Sequence, residues 1–455
     1  MGFAEDHLIP LVDEGLGNSA YLVDLGDRRA LAVDPCRDLR ALHAAVRRRR
    51  LAVAFAADTH LHADFLSGAV QLGHDHGATL LAAAAGGRTY PHLGLGDGDE
   101  VDLGGLRLRA LATPGHTDEH LAYLLLDGDR ELGVFTGGSL IVGSAARTDL
   151  LGAGRTEELA RAQYRSLQRL TGLPDATEVW PTHGAGSFCS APPGAERTST
   201  IRAERAANPL LAAADEDAFV RQFLAGLGTY PAYFDRLAER NRRGPAVLTG
   251  APPLPALDPA AVRALLAGGG WVVDARPAAA FAAGHIPGAL SIPLRAQFAT
   301  WLGWLVPGDA PIAVIAGPGQ DLHDLVWQAA KIGYERLAGH LAGGMDAWLA
   351  AGHPQRTTPF VHAAQTTPGR YLDVRQRGEF GAGHVPGAVS LELGALAEHA
   401  LEAPDGVVVA CGRGERAMTA ASILERAGRT DVTVLDGGPA EYAAAHGLRL
   451  AAGGR

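Results

Sequence analysis

The chain has 455 residues and a formal net charge of −10, with 47% hydrophobic and 20% charged residues. That length is too great for one ordinary core and suggests about three domains, and the acidity argues against a nucleic-acid partner. No apolar run reaches the roughly 20 residues that a bilayer span needs, and the N-terminus MGFAEDHLIPLVDEG lacks a basic-then-apolar leader pattern; a cytoplasmic protein without membrane association is expected.

Up to about residue 250 the pattern predicts strands alternating with loops and a few helices. Strands are expected over Ala20–Leu25, Ala30–Val33, Ala52–Ala56, Leu106–Ala112 and Ala122–Leu126. A helix beginning near Leu39 should end in the basic run Arg47–Arg50, where cations suit the carbonyl end of the dipole. The stretch 155–171 has helical periodicity with an acidic first turn, and a second helical region covers about 215–241. Arg243–Leu257, rich in Pro and Gly, reads as a linker.

An internal repeat follows. Asp274–Ala289 is DARPAAAFAAGHIPGA and Asp373–Ala388 is DVRQRGEFGAGHVPGA. Each copy follows a short apolar strand and leads, through another strand and a helix, to a Gly-Gly turn (Gly343–Gly344; Gly437–Gly438). A repeat of about 95 residues is domain-sized, so two tandem α/β domains are expected, with a junction near 355–362.

Three cysteines, Cys36, Cys189 and Cys411, are too sparse and too odd in number for a disulfide framework. Each is either a small buried hydrophobe or a reactive thiol; Cys36 reads as structural. Histidines carry more of the chemistry. In DTHLHADFLSG (Asp58–Gly68), His60 and His62 alternate with Leu61 and share one side of an extended segment, with Asp64 within reach. TPGHT (Thr113–Thr117) and PTHG (Pro181–Gly184) each place a histidine in a Gly/Pro turn after an apolar strand. Neutral imidazoles and a carboxylate at this spacing suit a first-row metal ion. Gly73-His74-Asp75-His76-Gly77 reads instead as a solvated loop.

These four elements, with FTGGSLIVGSAARTDL at 135–150, PTHGAGSFC at 181–189, TIRAERAANP at 200–209 and YPAYF at 230–234, resemble the metallo-β-lactamase fold, in particular its persulfide dioxygenase branch and the related glyoxalase II branch. The resemblance implies an αβ/βα sandwich over residues 1–245 and metal ligands drawn from His60, His62, Asp64, His116 and His183. It also implies a pocket bordered by Arg147, as a substrate contact or as half of a salt bridge with Asp149, and by Cys189, as a sulfur carrier or a small buried residue. Two positions depart from the pattern. Phe65 stands where the dinuclear hydrolases carry a histidine, which fits a mononuclear dioxygenase with one ferrous ion. Gly138 stands where the family carries an Asp ligand, so a third ligand must come from elsewhere, with His62 and Asp64 the nearest candidates.

VVVACGRGERA (Val407–Ala417) predicts a strand ending at Ala410, a six-residue loop Cys411–Arg416, and a helix from Met418 whose N-terminus faces the loop. Backbone N–H groups, the helix N-terminus, Arg413 and Arg416 would keep Cys411 ionised and draw in an anion. With D-x-R…EF…GHxPGA before it, this resembles the rhodanese C-x4-R loop. The implied layout is a rhodanese-like domain lacking the catalytic cysteine at 256–355, where Ala316 aligns with Cys411, and a rhodanese domain at 360–455, both α/β with parallel sheets. The cysteine-less domain could space the others, cover a neighbour or support a homodimer.

The resemblance therefore implies an enzyme of sulfur metabolism. The metal domain would oxidise a low-molecular-weight thiol persulfide to sulfite at one Fe(II), and Cys411, with Arg413 and Arg416, would transfer sulfur among thiosulfate, sulfite and thiols. Two alternatives stay open: a Zn(II)-dependent thioester hydrolase of the glyoxalase II type, and a sulfur carrier with a degenerate metal site.

Overall fold

The computed structural model describes residues 3–189, 196–366 and 369–453. The chain divides near residue 250 into two compact units.

The first unit holds two six-stranded sheets whose strands lie beside their sequence neighbours. One sheet runs in chain order through Leu8–Asp13, Asn18–Asp24, Arg29–Val33, Ala52–Ala57, Thr79–Ala83 and Leu93–Leu95. The other runs through Glu100–Asp102, Leu106–Ala112, Leu121–Asp127, Arg130–Gly137, Glu178–Pro181 and Ser199–Thr200. Strand alternation divides the apolar side chains between layers. Tyr21, Val23, Leu31 and Val33 pack with Leu108, Ala110, Tyr123, Leu125, Phe135 and Trp180 between the sheets. The intervening Leu22, Ala30 and Ala32 turn outward to meet Leu42, Val46, Ala69 and Leu72 of the helices Arg40–Arg49 and Ala69–His76. On the other sheet, Ala122, Leu124, Leu126 and Val134 meet Ala160, Leu167, Phe219 and Phe223 of the helices Thr156–Leu170 and Glu216–Ala225. The result is a helix–sheet–sheet–helix sandwich.

The second unit carries two five-stranded parallel sheets of the same order. The first is Ala256–Leu257, Gly339–Leu341, Ile312–Ile315, Trp271–Asp274 and Leu290–Ser291; the second is Phe360–Val361, Val432–Leu435, Val407–Ala410, Tyr371–Asp373 and Val389–Ser390. The repeated motif is their shared folding code. In each copy the buried Asp grips the Arg two residues on, Asp274–Arg276 at 2.6 Å and Asp373–Arg375 at 2.7 Å. The same guanidinium then donates to the carbonyl of Gly284 or Gly383, at 2.7 Å in both. The following His stacks on its Phe at 3.8 Å in both, His285 on Phe281 and His384 on Phe380, and its Nδ1 donates to that Phe carbonyl at 2.9 and 3.0 Å. The Asp–Arg clamp, the Phe–His stack and the Nδ1 hydrogen bond all close within the motif, so these contacts build the scaffold rather than the chemistry.

Three expectations change. Residues 73–77 are not a loop, because His74 and His76 lie in the last turn of Ala69–His76, which Gly77 ends at φ +67°. The helical region at 215–241 is two helices, Glu216–Ala225 and Phe234–Arg243, separated by a stretch with Gly226, Gly228 and Pro231 that cannot cheaply continue a helix. The helix after Cys411 begins at Glu415, not Met418, so the loop proper is Cys411–Gly414. No helix among the described residues is long and apolar enough to cross a membrane.

Candidate functional site

The carboxyl ends of strands from both sheets of the first unit converge on one cluster of buried histidines. The strand Ala52–Ala57 delivers His60, His62 and Asp64; Leu106–Ala112 delivers His116; Glu178–Pro181 delivers His183. All five are at most 2% exposed. One ligand atom from each of His60, His116 and His183 lies within 4.8 Å of the others, and His62, Asp64 and His183 form a second such set.

The hydrogen bonds fix which nitrogens face the centre. The Thr59 hydroxyl gives its only proton to Asp34 Oδ2 at 2.8 Å, so it accepts from His60 Nδ1, also at 2.8 Å. His116 Nδ1 donates to the Arg147 carbonyl at 2.6 Å. His183 Nδ1 donates to Asn18 Oδ1 at 3.1 Å, with Asp64 Oδ2 at 3.4 Å. Each ring is thus held at Nδ1 and turns Nε2 inward, the arrangement that orients metal-bound imidazoles. His60 Nε2 and His183 Nε2 stand 3.4 Å apart, close to the separation of two nitrogens that share a cation at about 2.1 Å. Burial and the neighbouring imidazoles hold His60 and His116 neutral, His116 pushed down to about 3. Burial opposes a charge on His183 while Cys189 and Asp64 favour it, and the balance raises its proton affinity, so metal uptake there displaces a proton.

Two further donors are orphaned. His62 Nε2 bonds Asp34 Oδ1 at 3.2 Å, which leaves its Nδ1 buried without a partner, and Asp64 Oδ1 is buried and unpartnered while Oδ2 accepts from Asn18 at 2.7 Å. Unsatisfied buried donors and acceptors are costly. Orphaned ligand atoms beside three inward Nε2 atoms are what a metal ion would satisfy, so the residues present fit a metal centre.

Arg147 and Cys189 border this cluster. The Arg147 guanidinium is occupied by protein: Nε and Nη2 grip Asp149 at 2.7 Å each, Nη2 also bonds the Gly228 carbonyl at 2.8 Å, and Nη1 bonds the Phe188 carbonyl at 3.1 Å. Its head sits 4.3 Å over the Tyr230 ring. The salt-bridge expectation therefore replaces the substrate contact, and Arg147 serves the centre through its carbonyl on His116. Cys189 is 1% exposed and faces His183.

In the second unit, the strand Val407–Ala410 ends at Cys411, and Gly414 (φ +83°) caps the helix Glu415–Arg426. The thiol is less open than the loop motif suggests. Cys411 is 2% exposed, while Gly412 and Arg413 beside it are exposed. Arg416 is held in a two-pronged pair with Glu379 at 2.7 and 2.8 Å, its Nη2 lying 3.8 Å from where a Gly412 Cβ would sit. A Cβ at Gly414 would lie 2.7 Å from the Phe360 ring. Gly414→Ala should therefore cost about 2 kcal/mol from backbone and clash together, read as a lowered urea midpoint. In the preceding domain the strand Ile312–Ile315 runs into Ala316, Gly317 and Pro318 with no thiol.

A rhodanese-like domain family model matches residues 258–351 and 361–445. A metallo-beta-lactamase from Staphylococcus aureus subsp. aureus COL is similar at 28% identity and a TM-score of 0.64, covering 73% of this chain and 98% of that one. The chain is a metallo-β-lactamase-fold protein with two rhodanese-like domains. It is also similar to ETHE1 from Myxococcus xanthus, 31% identical with a TM-score of 0.45 over 52% of this chain and 97% of that one. The hydroxyacylglutathione hydrolase of Methylococcus capsulatus is 33% identical over 182 residues, 38% of this chain. The chain spans 64% of that relative's length.

This metallo-β-lactamase-fold protein uses two site residues that the motifs did not single out. Asp34 is the hub of the centre: it accepts from Thr59 N–H at 2.7 Å, from the hydroxyls of Thr59 and Thr182, and from His62. It sits at φ +50°, a strained conformation for a non-glycine residue. Burial opposes its charge, but His62, Thr182 and Thr59 hold its carboxyl below the ordinary range. His120 lies stacked 5.0 Å from His60, yet its Nε2 accepts from Gly138 N–H at 3.0 Å and its Nδ1 bonds the Thr113 hydroxyl at 2.8 Å. It supports the centre and has no nitrogen left for a metal.

Gly138 lets the backbone approach His116: a Cβ there would lie 2.4 Å from His116 Cδ2. Gly138→Ala should displace that ring and weaken metal affinity by about tenfold or more, measured by titration against a competing chelator.

Proposed function

We propose that this protein is a sulfur-metabolism enzyme. Its metal domain oxidises the outer sulfur of a low-molecular-weight thiol persulfide to sulfite, and Cys411 transfers sulfane sulfur. The observation that carries the reading is a buried cluster of metal-ligating histidines in the same chain as a cysteine-bearing rhodanese loop. Phe65 stands in place of a histidine expected of a two-metal hydrolase, and Gly138 in place of the carboxylate ligand common to the family, which His62 or Asp64 would replace. His60, His116 and His183 remain as the primary set, with His62 and Asp64 adjoining.

A ferrous ion held by these residues would supply redox chemistry with dioxygen. The chain's own part is to hold three Nε2 atoms on one side, through Thr59, the Arg147 carbonyl and Asn18. Overall, one persulfide, one dioxygen and one water give one thiol, one sulfite and two protons. At Cys411 the thiolate attacks the outer sulfur of thiosulfate, the S–S bond of thiosulfate breaks and sulfite leaves with its electron pair, giving a cysteine persulfide. An acceptor thiolate then takes the terminal sulfur and returns the Cys411 thiolate. Arg413 and Arg416 place positive charge beside the entering anion.

A second reading has its own support. Three converging imidazoles also suit catalytic zinc, and the Methylococcus capsulatus relative is named hydroxyacylglutathione hydrolase. The two readings separate on glutathione persulfide in air. The first expects sulfite formation with one dioxygen consumed per persulfide; turnover of a glutathione thioester with no dioxygen uptake would overturn it.

A further inference from the structure

The cysteine-less domain is fastened along the helix that follows Cys411. Near the helix C-terminus, Glu425 accepts from His285 Nε2 at 3.0 Å and from Gly288 N–H at 3.1 Å. Arg426 donates to the Gly288 carbonyl at 2.6 Å with its guanidinium 3.9 Å over the Trp271 ring. Midway, Ser291 N–H donates to Ser422 Oγ at 3.1 Å. At the helix N-terminus, beside the Cys411 loop, Arg295 Nη1 lies 3.2 Å from Glu415 Oε2 and donates to Gln297 at 2.9 Å. The Nε and Nη2 groups of Arg295 have no protein partner among the described residues, and its side chain is 32% exposed.

Three guanidiniums, Arg295, Arg413 and Arg416, gather around the Cys411 loop, with Glu379 paired to Arg416 and Glu415 to Arg295. Burial, Arg416 and Arg413 disfavour the charge on Arg295, whereas Glu415 and the Cys411 sulfur favour it. An anion arriving at Cys411 would relieve that crowding and find free N–H donors.

We propose that Arg295, carried by the cysteine-less domain, is a substrate-binding residue of the Cys411 site that selects sulfur oxyanions such as thiosulfate and sulfite over uncharged reactants. The proposal rests on the sulfurtransferase reading of Cys411. It gives the cysteine-less domain a part in the chemistry: it holds a cation at a neighbour's thiol.

The test compares alkylation of Cys411 in the full chain by iodoacetate and by iodoacetamide, followed by mass spectrometry of the Cys411 peptide. Arg295→Gln should slow the anionic reagent about fivefold to tenfold and leave the neutral one within about twofold. It should also raise KM for thiosulfate by about tenfold with little change in kcat, while Arg295→Lys restores most of both. Equal slowing of the two reagents would show a purely structural role and overturn the proposal, as would no change in either. If Cys411 of the wild-type chain takes neither reagent, the sulfurtransferase reading itself fails, and this proposal with it. If wild-type Cys411 reacts but Arg295→Gln does not discriminate, only the proposal fails.

Discussion

Replacing Cys411 by alanine should lower thiocyanate formation from thiosulfate and cyanide by at least about a thousandfold, because the sulfur that must carry the transferred atom is gone. Metal content of the first unit should stay unchanged. The molecule already contains the control for folding. Ala316 follows the strand Ile312–Ile315 as Cys411 follows Val407–Ala410, in a sheet of the same order with the same Asp–Arg clamp and Phe–His stack. An alanine at that position is therefore compatible with the scaffold. Loss of one buried sulfur should cost about 1 kcal/mol in stability, too little to unfold the domain. A Cys411→Ala variant that still makes thiocyanate would move the chemistry to another thiol.

His116→Ala should weaken metal binding by about a hundredfold or more, since it removes one of three converging Nε2 atoms and orphans the Arg147 carbonyl that now accepts from His116 Nδ1. His120→Ala supplies the contrast. His120 is equally buried, in the same cluster and only 6.5 Å from His116 by ring centroid, but both of its nitrogens are spent on Thr113 and Gly138. Its loss should leave a bound metal, weakened by about tenfold. Equal loss in the two variants, read by competitive chelation, would show that the ligand set has been drawn wrongly.

The legible parts of the sequence were those in which one local pattern had one physical meaning. Leu106–Ala112 and Val407–Ala410 are strands with the bounds that their apolar runs suggest. The repeated D-x-R…F…GH motif read as two domains, because a clamp of Asp, Arg and a glycine carbonyl needs that spacing wherever it occurs. The αβ/βα sandwich and the two parallel-sheet domains were legible through the resemblance that the histidine and cysteine motifs carry.

Less legible were features that depend on which loops meet. Asp34 follows an ordinary strand in sequence and becomes the hub only because the loops bearing Thr59, His62 and Thr182 close over it; its one local signal was an Asp directly after an apolar strand. His120, four residues past His116, could not be ranked against it by spacing, since the difference lies in the backbone N–H of Gly138. Spacing alone leaves Arg147 either a substrate contact or half of a salt bridge, and the choice depends on Asp149, Phe188 and Gly228 gathering around it. The burial of Cys411 beside the exposed Gly412 and Arg413 has no signal in the loop's spacing.

The proposed centre is one metal ion held by His60, His116 and His183, with His62 and Asp64 alongside. Elemental analysis of protein purified without oxygen tests this most directly. One iron per chain, lost in His116→Ala, is the expected result. Two metal ions per chain, or zinc alone in protein that turns over a thioester, would contradict it.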